Sequence, residues 1–163
     1  MLNECRRIWR EVFRDSEEDI SSFVDNHYRA ENHLFIEVDG RHVSMVHLLP
    51  FNSEIGRVGY LYALATDEQY RGRGYGRELT MRAIELSRER GFNALFLIPA
   101  EESLRCYYAA MGFKPSAHLI FSTPDRYDFG TGDISKDHSM VYPLSSLDER
   151  ALETSLPILL SLV

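Results

Sequence analysis

Hydrophobic residues in this chain recur first at helical spacing and then in alternation. Ile8, Val12 and, more loosely, Phe13 predict a helix over residues 3–14. Asp15-Ser16-Glu17-Glu18 is a helix-start signal, so a second helix is expected to run to about Tyr28. Residues 33–38 read as a strand, Asp39-Gly40 as a hairpin turn, and residues 41–51 as the return strand. Residues 52–57, with Gly56, read as a further turn, and residues 59–66 as the next strand. Tyr75, Leu79, Ala83 and Leu86 then mark a helix that begins near Gly74 and ends at Gly91, with Glu78 and Arg82 paired on its exposed side. The short apolar run over residues 94–98 suits a strand covered on both faces. A helix over residues 101–111 would carry Leu104, Tyr108 and Met111 on one face and stop at Gly112. Residues 117–121 and 139–142 look like strands, separated by a polar loop or lid over residues 122–137. Ser146-Leu147-Asp148-Glu149 matches a capping box for a short last helix before an apolar tail. Helices, a mostly antiparallel sheet and a strand–helix–strand–helix unit together predict a mixed α/β domain.

Composition narrows this reading. A length of 163 residues suits one packed domain, and a 44% apolar content argues against disorder. The net charge of −7 argues against a general nucleic-acid binder. The arginines between Arg71 and Arg90 still allow a local positive patch. Cys5 and Cys106 are the only cysteines, with no CxxC spacing and no nearby histidine pair. Neither a disulfide scaffold nor a cysteine-based zinc site is therefore expected, and no other metal ligand set is visible. Residues 1–14 are studded with charge and lack the apolar core of a signal peptide, and no apolar run reaches membrane-spanning length. The expectation is a cytoplasmic protein with no membrane partner.

The run Arg71-Gly72-Arg73-Gly74-Tyr75-Gly76-Arg77 is the densest chemical signal. Glycine lets the backbone approach something bulky, and a helix starting there aims unpaired N–H groups and a positive dipole end at an anion. Walker loops need Gly-Lys-Ser/Thr at this point, but Gly76 is followed by Arg77-Glu78. The dinucleotide fingerprint needs GxGxxG, whereas Gly72, Gly74 and Gly76 stand at alternate positions. The plain alternative is a glycine-rich turn with solvated arginines.

The segment from Leu64 to Leu79 resembles the acyl-CoA-binding motif of the GCN5-related N-acetyltransferases (GNAT), whose Arg/Gln-x-x-Gly-x-Gly/Ala signature is matched by Arg71, Gly74 and Gly76. Tyr108-Ala109-Ala110-Met111-Gly112-Phe113 resembles the same family's Tyr-x-x-x-Gly-Phe segment, in the right order and with one helix and one strand between the motifs. The resemblance is motif-level over residues 60–114 and pattern-level elsewhere. It implies the GNAT fold, a mixed central sheet flanked by helices. That family's first strand is missing here, or another segment fills its place. One candidate is the apolar tail over residues 158–163, packing against the core or a partner chain.

In such an enzyme the amides of Gly72, Arg73, Gly74, Tyr75, Gly76 and Arg77 would hold the pyrophosphate of coenzyme A. Arg71, Arg73 and Arg77 would either reach the phosphates or stay solvated. Leu64, Ala65 and Thr66 would offer backbone groups to the pantetheine arm and to the acetyl carbonyl, where an N–H stabilises the oxyanion. Tyr108 stands at the family's general-acid position, although the same periodicity packs it with Leu104 and Met111. Tyr107 lies about a hundred degrees around the helix. No general base is evident: His47, Glu54 and Asp67 are candidates, Glu101 and Glu102 look like first-turn helix residues, and His47 sits in an apolar strand.

Leu97-Ile98-Pro99-Ala100-Glu101-Glu102-Ser103-Leu104, together with Tyr108, is similar to the N-terminal acetyltransferase module of the mycobacterial aminoglycoside acetyltransferase subgroup. There is no room here for that subgroup's further domains, so aminoglycoside activity does not follow, and its terminal-carboxylate base does not transfer to Val163. The resemblance implies acetyl-CoA-dependent acetylation of a primary amine, on a small molecule or a peptide, by direct attack in a ternary complex with no metal. A non-catalytic acyl-CoA sensor or assembly module of the same fold is the rival. A nucleotide-binding protein of another class is the third reading, and it requires ATP or NAD to bind more tightly than coenzyme A. The acidic charge favours a cationic acceptor such as a polyamine, amino sugar or lysine side chain. The sequence leaves a homodimer open.

Overall fold

Asp39 and Gly40, at φ 51° and 76°, form the two-residue turn for which these residue types are suited. They join β1 (His33–Val38) to β2 (Arg41–Ser53) as an antiparallel hairpin. The computed structural model describes residues 1–116, 119–122, 139–145 and 158–162. Contacts divide the chain into two units, Met1–Leu49 with Leu61–Ala83, and Pro50–Tyr60 with Ile84–Val163.

The first unit opens with α1 (Leu2–Phe13) and α2 (Glu17–Asn26). Ser16 caps α2 by accepting the Asp19 N–H at 3.1 Å, as the acidic start signal requires, but α2 stops short of Tyr28. The inward face of α1 is Cys5, Ile8 and Trp9, whereas Phe13, which fits the spacing only loosely, is exposed. Ile20 and Phe23 of α2 complete this layer, and the Trp9 indole N–H donates to Asp15 at 2.7 Å. Along the hairpin, Val38 faces Arg41 and Glu37 faces His42, then the register shifts so that Ile36 faces Ser44 and His33 faces His47. The shift is a β-bulge, with Val43 the extra residue on β2.

Strand β3 (Gly56–Thr66) is three residues longer at its start than the spacing predicts, and helix α3 (Tyr75–Glu89) follows it. The expected pair on α3 forms, with Arg82 2.6 Å from Glu78. Gly91 lies just past its end at φ 67°.

The second unit holds β4 (Ala94–Leu97), α4 (Leu104–Ala109), β5 (Lys114–Pro115), β6 (Leu119–Ser122), β7 (Met140–Pro143) and β8 (Ile158–Leu162). The strand order is β5-β7-β4-β3-β2-β8-β6, with β1 paired to β2, and β6 and β8 run parallel. This is the mixed α/β sheet expected. Asn93 ties its unit together: its N–H donates to Arg57 O at 2.7 Å, its amide to Ile55 O at 2.6 Å, and its carbonyl accepts from Leu144 at 3.0 Å. The apolar tail becomes β8, hydrogen-bonded beside Phe51 and Asn52 of β2. The start of α4 differs from expectation: Glu101 and Glu102 lie in a turn before Leu104, not in a helical first turn. The polar loop or lid and the capping box at Ser146 lie outside the described residues. Among the described residues, no helix is long and apolar enough to cross a membrane.

Candidate active site

Strand β3 loses its regular alternation before it ends. Ala63 sits at φ 53°, a left-handed conformation costing a non-glycine residue about 1–2 kcal/mol. Tyr62, Ala63 and Leu64 are all half-buried in succession, where a regular strand would alternate. Nothing in the sequence marks this alanine. Past it, Ala65 is buried and its carbonyl accepts from Ser44 Oγ at 2.9 Å, while Ser44 Oγ and Thr66 Oγ1 are 2.8 Å apart. The Thr66 carbonyl accepts from Arg71 Nε at 3.2 Å. Each carbonyl retains a second lone pair.

Asp67 then anchors the turn. Its N–H donates to Val43 O at 2.9 Å, and its side chain accepts from Gln69 N at 3.3 Å, capping a single 3-10 turn, Glu68–Tyr70. Asp67 is buried and ion-paired to Arg41 at 3.1 Å and Arg7 at 3.5 Å. Those two arginines, from β2 and α1, were not singled out on sequence. An acid held in this way is an anchor and not a free base.

Gly72 and Gly74 follow at φ 76° and 85°, and a Cβ added at either would meet nothing within 4 Å. Backbone conformation therefore favours glycine there, and the space above it is open. The expected crowding argument does not apply within the chain itself. The Glu78 N–H donates to Gly74 O at 3.0 Å, the first intrahelical bond of α3. The amides of Tyr75, Gly76 and Arg77 thus precede the helical ladder, with the positive end of the helix dipole beneath them. Gly76 lies within the helix, its carbonyl accepting from Thr80 Oγ1 at 2.8 Å. Arg71, Arg73 and Arg77 are all exposed. Arg71 is turned back onto Thr66, and Arg73 reaches Gln69 O at 3.4 Å with its guanidinium 4.9 Å from the Tyr70 ring. Arg77 makes no ion pair among the described residues. All ten residues expected to bind the cofactor belong to the first unit.

Tyr108 belongs to the second unit, on α4. It is buried, 5.1 Å from Tyr107 and 5.9 Å from Phe113 between ring centres. Burial first, and the neighbouring Tyr107 second, push its phenol up to about 12. It therefore carries its proton throughout the neutral range, as an acid must and a base must not. Gly112, at φ 100°, lets Tyr142 pack where a Cβ would meet the ring at 2.9 Å, so the glycine of this motif is a packing residue.

The base candidates separate clearly. Glu54 is exposed in the β2–β3 turn, Glu101 accepts from Ser103 at 3.1 Å, and Glu102 pairs with Arg105 at 3.4 Å. His47 is fully buried, with Nε2 3.6 Å from Cys5 Sγ. Sequence spacing showed no histidine pair near a cysteine, but the fold brings Cys5, His33 and His47 together with one ligand atom from each within 4.8 Å of the others. Burial drives the His33 imidazole down to about 4, lowers His47 strongly and raises the Cys5 thiol to about 12, so all three are neutral at pH 7.

A model of the Acetyltransferase (GNAT) family matches residues 2–113. Among curated proteins, none matches this sequence. Among solved structures, the chain resembles a GNAT family N-acetyltransferase (YhbS) from Escherichia coli in complex with CoA, at 18% identity and TM-score 0.71, covering 99% of this chain and 84% of that one. Rv2747 from Mycobacterium tuberculosis, in complex with CoA and NLQ, aligns at 16% identity and TM-score 0.65 over 89% of this chain and 96% of its own. A GCN5-related N-acetyltransferase from Kribbella flavida aligns at 20% identity and TM-score 0.62, over 72% of this chain but only 32% of that one. At these identities the structural likeness speaks to fold, and the fold is the one the motifs implied.

Proposed function

This chain belongs to the acetyltransferase (GNAT) family, and we propose that it transfers an acetyl group from acetyl-CoA to a primary amine by direct attack in a ternary complex. The observation that carries this reading is the turn before α3. Two glycines at positive φ leave open space beside three helix-start amides, a cradle suited to a pyrophosphate. The amides of Tyr75, Gly76 and Arg77 would bind it, with Gly72 and Gly74 shaping the approach and Arg77 adding charge.

The positive φ of Ala63 interrupts the regular conformation of β3 just before Leu64, Ala65 and Thr66. We assign the backbone of Leu64, Ala65 and Thr66 to the thioester arm; the carbonyls of Ala65 and Thr66 each accept one bond, from Ser44 and Arg71, and keep a second lone pair. The amine nitrogen attacks the thioester carbon and a C–N bond forms. The C–S bond then breaks, and Tyr108 supplies the proton that leaves with the thiol. A phenol at about 12 is a weak acid toward a thiolate whose thiol lies near 8.5, and the phenolate left behind regains its proton from the amine nitrogen by way of water. Tyr108 thus stores and relays a proton more than it drives bond cleavage. Water serves the amine better as base than Asp67 or His47, since the first is ion-paired and the second is sealed in the core.

The Leu97–Leu104 segment and Tyr108 support kinship with the module that heads the mycobacterial aminoglycoside subgroup, and that kinship does not name the acceptor. Acidic net charge favours a cationic amine. Calorimetry with acetyl-CoA, ATP and NAD, followed by a free-thiol assay over polyamines, amino sugars and lysine peptides, tests the reading. Turnover with at least one amine is expected. Acetyl-CoA binding with no turnover on any amine would instead make the chain an acyl-CoA sensor.

A further inference from the structure

We propose that Cys5, His33 and His47 form a buried zinc site that clamps α1 to the β1–β2 hairpin. The three residues come from three elements, and their ligand atoms lie within 4.8 Å of one another. Cys5 Sγ and His47 Nε2 are 3.6 Å apart. Two ligands of one tetrahedral zinc, with Zn–S near 2.3 Å and Zn–N near 2.05 Å, stand about 3.6 Å from each other. The pair is already at the separation that a shared ion would impose.

A second observation points the same way. His33 is 5% exposed, yet neither of its ring nitrogens has a hydrogen-bond partner, and a bound ion would take one of them. Buried polar atoms are almost always satisfied, because leaving one bare costs about 1–3 kcal/mol. The neighbours do not relieve them: Tyr28 and Phe35 pack on His33, each with its ring centre 5.6 Å away, and Phe23 and Trp9 seal His47 at 4.8 and 5.7 Å. The Tyr28 hydroxyl is buried and unpartnered as well.

The donor set selects the metal class. One thiolate and two imidazoles suit a borderline-soft ion such as Zn²⁺ and exclude the oxygen-seeking Mg²⁺ and Ca²⁺. Both imidazoles are neutral and ready to coordinate. The Cys5 thiol gives up its proton to solvent as the S–Zn bond forms, leaving a site of net charge +1. Three protein ligands leave a fourth tetrahedral position for water or for the Tyr28 hydroxyl. The site lies within the first unit and does not depend on acetyl transfer.

The test uses the full chain, stripped with a chelator and titrated with Co²⁺ and then Zn²⁺. One equivalent of Co²⁺ should give the near-ultraviolet thiolate charge-transfer band and the visible bands of a tetrahedral ion, and Zn²⁺ should displace it with a rise in melting temperature. Cys5→Ser should abolish the charge-transfer band, and Cys106→Ser, at the exposed cysteine, should retain it. X-ray absorption of the wild-type zinc form should show one sulfur and three lighter ligands, a readout that stands even if Cys5→Ser does not fold. Absence of the band in the wild-type chain, its loss in Cys106→Ser, or a zinc shell without sulfur would overturn the proposal.

Discussion

The turn at residues 71–77 and the Cys5–His33–His47 cluster belong to the same unit and are built in opposite ways. The turn works through backbone: amides at a helix start, two glycines at φ angles that strain other residues, and open space above them. The cluster works through side chains drawn from residues 5, 33 and 47, sealed among aromatic rings. A local backbone device leaves its spacing in the sequence. A device assembled from distant side chains does not.

Changes to each region should therefore fail differently. The largest effect is expected from Gly74→Asp, which strains the turn and places a carboxylate where an anion should bind. Acetyl-CoA affinity should fall by about a hundredfold or more, roughly 2.7 kcal/mol, with helix content by circular dichroism unchanged. Retained affinity would mean that the turn is not the binding site.

Tyr108→Phe should lower kcat by about ten- to a hundredfold, at the weak end for general acids, with acetyl-CoA affinity unaltered. Because the phenol lies near 12, no descending limb below pH 10 should belong to Tyr108, and the pH profiles of the wild type and the variant should have the same shape. A limb near neutrality that disappears in the variant would show an acid with a much lower pKa than burial gives it.

The glycines offer a finer contrast. Gly112→Ala combines φ 100° with a Tyr142 contact at 2.9 Å, whereas Gly72→Ala meets only backbone strain. Thermal or urea denaturation should show a cost of about 2–3 kcal/mol for the first and about 1 kcal/mol for the second. Equal costs would mean that the Tyr142 ring moves aside freely. The smallest effect is expected for Arg77→Ala: a two- to fivefold loss of acetyl-CoA affinity, on the order of 0.5–1 kcal/mol. That loss should shrink in high salt, since the side chain is exposed.

The same contrast accounts for what the sequence disclosed. Asp39-Gly40 located the hairpin and Gly74 the start of α3, because each turn needs a residue type that few others can replace. The bulge at Val43 carries no such mark. Without its extra residue, the pairing that sets Val38 opposite Arg41 would bring His33 opposite Val46, and no histidine pair would form. One inserted residue thus decides which side chains meet. Ala63 escaped notice for the same reason: its positive φ is imposed by its surroundings and not by its side chain. Phe13 fits helical spacing only loosely and is exposed, and the buried face of α1 runs instead through Cys5, Ile8 and Trp9. The tail was recognised as apolar, but its pairing partners on β2 and β6 are too distant in sequence to be read locally.

Under the function proposed here, the turn before α3 holds acetyl-CoA. Calorimetric titration of the wild-type chain beside Gly74→Asp tests it most directly. One acetyl-CoA bound per chain, more tightly than ATP or NAD and weakened at least a hundredfold by the substitution, is the predicted result. Equal binding by the two proteins, or tighter binding of ATP or NAD to the wild type, would contradict it.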